Sequence, residues 1–130
     1  MPVWQRTTLG MIMAAALVSA PLVHADSAPE AAQEHLAHLT ETLASGEHDD
    51  FIRNGNDAFK SNLSERMFAS VQEHLGNRFA QGFETTYLST IHQYGMEVHV
   101  WSIHFDDEDG DLIARLAVDP NGDIGGIWFH

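Results

Sequence analysis

The chain has 130 residues, no cysteine, and 19 acidic against six basic side chains, a formal net charge of −13. The lack of cysteine excludes disulfides, thiol nucleophiles and thiolate metal sites, and the charge argues against nucleic acid or an anionic membrane surface as a partner. A chain of this length folds as one domain around one core.

Residues 1–25, MPVWQRTTLGMIMAAALVSAPLVHA, carry one positive charge at Arg6, an apolar run from Leu9 to Leu17 extended by Val18 and Ala20, and a small-residue ending before Asp26. This is the pattern of a secretory signal peptide, and the apolar run falls short of the ~20 residues that a membrane-spanning helix needs. The expectation is cleavage after Ala25, export of residues 26–130 to a periplasm or beyond the cell, and no permanent membrane anchor. Loss of Arg6 leaves five basic residues against 19 acidic ones, a formal −14 that favours solubility.

From Ser27 the pattern is helical. Ser27 and Glu30 have capping-box spacing, and Ala32, Leu36, Leu39 and Leu43 form one apolar stripe up to Gly46. Phe51 and Ile52 call for burial in a short helix after Asp49 or Asp50, which Asn54-Gly55-Asn56 interrupts. Ser64 is placed to cap the next helix, with Leu63 stapled onto Phe68; Phe68, Val71, Leu75 and Phe79 form its buried face and Gly82 its stop.

After Gly82 the apolar period falls to two. Four runs follow, Phe83 to Gln93, Met96 to Phe105, Asp111 to Val118 and Asp123 to Phe129, separated by Tyr94-Gly95, by the acidic stretch ending at Gly110, and by Asp119-Pro120-Asn121-Gly122. Connections this short make antiparallel neighbours. The predicted fold is α+β: helices over about 28–81 pack on one face of a curved antiparallel four-stranded meander over about 83–129.

These features carry a resemblance. Helices followed by long antiparallel strands look like the nuclear transport factor 2-like, cystatin-like α+β cone. Leu43 to Phe129 resembles a family of uncharacterised secreted domains within that superfamily, some of them fused to hydrolases. The matching features are Gly46-Glu47-His48-Asp49-Asp50, the Leu63-Ser64 helix start, the charged hairpin before Leu112, and the stretch from Val118 to Ile127 with its Asp-Gly turn and Ile-x-Gly ending. The resemblance implies the fold and a cavity between the concave sheet face and the helices; it imports no activity.

Histidines and carboxylates are the obvious candidates for chemistry. Glu34, His35, His38 and Glu41 lie on one helix at spacings that offer two metal ligands at a time, but no third ligand follows, so they are read as a solvated, ion-paired face and no metal site is assigned. The acidic run Asp106 to Asp111 fails the EF-hand frame, because Gly110 at position six puts Phe105 at one, and it is read as a solvated hairpin tip. His99 and His104 share a strand at odd separation and so face opposite ways. His99 goes with Trp101, Ile103 and Phe105; His104 goes with Val98, Val100 and Ser102. Both faces are apolar, which calls for helices over one and a second subunit over the other, hence a homodimer.

The leading expectation is an exported domain with no cofactor, whose cavity or sheet face holds an apolar small molecule or a protein partner, with Tyr87, Trp101 and Trp128 as the aromatic lining. An isomerase- or dehydratase-type enzyme would need a pocket base, for which His99, His104 and Glu97 are the candidates. A purely structural homodimer with no ligand is the third expectation.

Overall fold

In the computed structural model, which describes residues 27–107 and 109–130, the chain becomes helical directly after Pro29. The expected signal peptide, residues 1–25, lies outside the described residues. Helix α1 spans Glu30–Ser45 and has no side-chain cap, so the capping box expected of Ser27 does not form. The reason is local: a residue before proline is driven to extended backbone, which keeps Ala28 out of the first turn that such a box requires. The stripe is intact, with Ala32, Leu36, Leu39 and Leu43 all buried.

The break at Asn54-Gly55-Asn56 separates two short helices, α2 (His48–Ile52) and α3 (Asp57–Asn62). α2 starts at His48, two residues before the earliest start expected. α3 is capped by Asn56, whose Oδ1 accepts from the Phe59 N–H at 2.9 Å. Ser64 caps α4 (Glu65–Val71) by accepting from the Met67 N–H. The same helical path continues through a π turn (Gln72–Gly76) into α5 (Asn77–Gln81), and Gly82, at φ 121°, ends it. The π turn coincides with a close crossing of α1. A Cβ on Gly76 would stand 2.6 Å from the Leu43 carbonyl oxygen, and Gln72 Nε2 donates to the C=O groups of Leu43 and Gly46, satisfying acceptors that the end of α1 leaves open.

Three histidines fasten the helices, one to the sheet and two to one another. His35 Nε2 donates to the Gly122 carbonyl at 2.9 Å, His38 to that of Asp50 at 2.7 Å, and His48 to that of Leu63 at 2.6 Å. A carbonyl only accepts, so each ring carries its hydrogen on Nε2, in the neutral and in the protonated form alike. The reading of His35 and His38 as a solvated, ion-paired face is therefore corrected: both are fasteners to main chain.

The sheet is a meander, β1 (Phe83–Gln93), β2 (Met96–Phe105), β3 (Leu112–Val118) and β4 (Ile124–Phe129), antiparallel throughout and in sequence order. The fold is thus α+β, helices first and a four-stranded antiparallel sheet second. Tyr94 and Gly95 both have positive φ, as a two-residue turn between twisted strands requires. β3 and β4 start one residue later than expected because Asp111 and Asp123 serve the turns. Asp123 N–H donates to Asp119 Oδ1, and Asp111 Oδ1 takes a hydrogen bond from His104 Nδ1.

The acidic hairpin is more than a solvated tip. Arg78 of α5 holds Asp107 with both prongs, at 2.7 and 3.0 Å, donates to the Gly110 carbonyl at 2.6 Å, and lies 4.0 Å over the Phe105 ring. That hydrogen bond keeps the Asp107 carboxyl below the usual carboxylate range. The helices cover the sheet face that carries Trp101, Ile103, Phe105, Ala114, Leu116 and Ile124, and these join the α1 stripe in one core.

Candidate functional site

Among the described residues, a hollow of about 680 Å³ runs between β4 and the helical path from Leu63 to Leu75, and three smaller ones lie elsewhere on these elements. Its helical wall is apolar: Phe51, Leu63, Phe68, Val71 and Leu75. The Ser64 cap fixes where α4 starts, and the Phe51 and Phe68 rings lock against each other at 5.2 Å. The facing wall is Ile127 and Phe129 on the helix side of β4, with Phe129 braced by Phe79 at 5.6 Å.

The groove wraps around the β4 edge, so its lining also includes two residues from the outer sheet face, Arg115 and Trp128. Trp128 is 51% exposed and its ring lies against Gly126, where a Cβ would collide with it. The Arg115 guanidinium sits 5.9 Å from that ring, and its one side-chain bond, to Gln93 Oε1, is a long 3.5 Å. Ser70, His74 and His130 add further polar groups, and no Asp or Glu side chain lines the groove, although the chain as a whole is strongly acidic. Such a surface takes an apolar group and excludes water from it, with its polar groups at Ser70, His74, Arg115 and His130.

The second constellation centres on a buried histidine. A bulge at Leu88 switches the alternation of β1 so that Thr90 joins Tyr87 on the helix side, opposite His99 and Trp101. The Tyr87 hydroxyl bonds Thr90 Oγ1, which is 2.7 Å from His99 Nδ1, while His99 Nε2 lies 3.6 Å from Glu97 Oε1. His99 is only 2% exposed. Burial disfavours its charged form and lowers its pKa below the usual histidine value; the Glu97 charge opposes this and does not overcome it. A neutral, oriented imidazole has the makings of a base, but His99 lines none of the four hollows. The group that Nε2 faces is Glu97, itself half exposed at the end of the β1–β2 hairpin.

The other expected site residues scatter. His104 is on the outer face, exposed, and bonds Asp111 Oδ1 at 2.9 Å; that bond, reinforced by the charge, raises its pKa. Tyr87 and Trp101 meet edge to face at 6.1 Å, but Trp101 is fully buried, with its indole N–H given to Gln33 Oε1. Trp128 stands apart from both, on the opposite face. Among the described residues no three His, Asp or Glu side chains gather where they could hold a metal ion, and no helix is long and apolar enough to cross a membrane.

No family model matches the sequence, and no curated protein matches it. Of the residues expected to line a ligand site, Trp128 borders the groove while Tyr87 and Trp101 do not, and the rest of the groove was visible in the sequence mainly as buried faces. Phe68, Val71 and Leu75 read as core, Arg115 was not singled out, and their meeting with Ile127 and Phe129 depends on packing across some 50 intervening positions.

Proposed function

We propose that the chain is an exported, non-catalytic binding domain of the nuclear transport factor 2-like cone type, and that the groove along β4 holds an apolar ligand. The observation that carries this reading is the groove itself: about 680 Å³ with apolar side chains on both walls. Export rests on the signal-peptide pattern of residues 1–25. The cone assignment rests on the helices-first order, the meander and the helix layer over one sheet face.

The test is a titration of the full chain, as its own host delivers it, with the dye 1-anilinonaphthalene-8-sulfonate. The expected result is one saturable site, lost in Ser70→Trp, which fills the groove from an exposed position. Ile91→Ser, which removes exposed apolar surface elsewhere, should leave it unchanged. Equal binding by Ser70→Trp would sink the proposal.

A further inference from the structure

The groove borders a strand edge that is half covered. β4 is the last strand of the sheet, and its beginning is paired on the far side by the chain itself: Ile124 N–H donates to the Asn54 carbonyl at 3.0 Å, and Asn56 N–H donates to the Ile124 carbonyl at 2.9 Å. Beyond Ile124 this cover ends, because Asn56 caps α3 and the chain turns away.

The register shows what stays open. Ile113 and His130 exchange both main-chain hydrogen bonds, N–H to C=O at 2.6 and 3.0 Å, so in an antiparallel ladder the next bonded pair is Arg115 with Trp128. Ile127 and Phe129 fall between these pairs. Their N–H and C=O groups point away from β3, along the free edge, and meet no other main-chain partner among the described residues. An open edge is a template for another strand. A strand laid there sends alternate side chains to the two faces of the sheet, and the groove has a lining on each: the apolar wall of Phe68, Val71 and Leu75 inside, Trp128 and Arg115 outside.

The geometry points to strand addition: the β4 edge at Ile127 and Phe129 takes an extended peptide segment whose inward residues are apolar and which carries a carboxylate on its outward side, facing Arg115. This names the partner of the groove and rests on the binding reading above. The carboxylate follows from charge complementarity. Arg115 forms no ion pair among the described residues, and the groove lining carries no acidic side chain to oppose a ligand's charge. A second copy of the chain is disfavoured as the occupant, because it brings a further net charge of −13 to the same edge.

The experiment uses the ¹⁵N-labelled full chain and a capped peptide that alternates valine with threonine and has one central glutamate. A control peptide is N-methylated at the valines, the residues whose N–H would face Ile127 and Phe129. In the free protein the Ile127 and Phe129 amides should exchange with solvent about tenfold or more faster than that of Trp128; the peptide should slow both by about tenfold, and the control should not. Arg115→Gln should weaken the glutamate peptide about fivefold and leave a version with threonine at that place unchanged.

If the peptide leaves both amides unprotected while the sulfonated dye still fills the groove, strand addition is overturned and the apolar-ligand reading stands. If neither binds, both fall. Amides already protected in the free chain, together with a dimer mass in light scattering, would assign the edge to a second copy and overturn the peptide. Equal loss of both peptides in Arg115→Gln would overturn the role given to the carboxylate.

Discussion

Two tryptophans mark the two faces of the sheet. Trp101 on β2 is fully buried beneath α1, with its N–H satisfied by Gln33; Trp128 on β4 is half exposed, rests on Gly126 and shares its surroundings with Arg115. The same side chain holds the fold on one face and borders a groove on the other. The difference comes from register alone, because Trp101 pairs with Ala114, Ala114 with Phe129, and Trp128 is the next residue along, turned to the opposite side.

Substitution should separate the two by the largest effect available in this molecule. Trp101→Ala empties the centre of the core and should cost about 3–5 kcal/mol of unfolding free energy, whereas Trp128→Ala should cost less than about 1 kcal/mol. Urea denaturation followed by circular dichroism measures both. Similar midpoints for the two variants would mean that the face assignment is wrong. In the dye titration the order reverses: Trp128→Ala weakens binding at the groove, and nothing in Trp101 touches it.

The contrast between the faces also explains how far the sequence could be read. Alternation put His99 with Trp101, Ile103 and Phe105 and opposed them to His104, and it placed every strand to within one residue. It could not say which face the helices cover, because both faces of β2 are apolar. Nor did it show the ties that bind the helices down. His35, His38 and His48 all donate to main-chain carbonyls, and a carbonyl acceptor leaves no trace in residue identity. The groove was hidden for a related reason. A buried face and a groove wall have the same composition, and only the gap between α4 and β4 distinguishes them. Ser27 misled for want of its neighbour: Pro29 made the cap impossible.

The two histidines of β2 sharpen the comparison through pH. His99 has a lowered pKa because burial disfavours its charge. The unfolded chain therefore binds more protons than the folded one between the folded value and the ordinary 6.5, and stability falls as pH drops through that window. His99→Gln, which keeps a hydrogen-bonding group beside Thr90 but does not titrate, should flatten the stability profile below the ordinary histidine value of 6.5. An unchanged slope would mean that the ring is hydrated and the network of Tyr87, Thr90 and His99 is open to water.

His104 should give the smallest effect, and the opposite sign. Its hydrogen bond to Asp111 raises its pKa, so the folded chain holds the proton more tightly; the contribution is fully present below the ordinary value of 6.5 and is lost as pH rises through the raised one. Both partners are well exposed, and solvent screening keeps such a pair weak. His104→Ala should therefore match the wild type at pH 8.5 and fall only slightly below it at pH 5.5, with the small gap closing further in high salt. A substantial gap at pH 5.5 that resists salt would place His104 in a covered environment. One histidine's salt response thus also tests whether the outer sheet face is bare in solution.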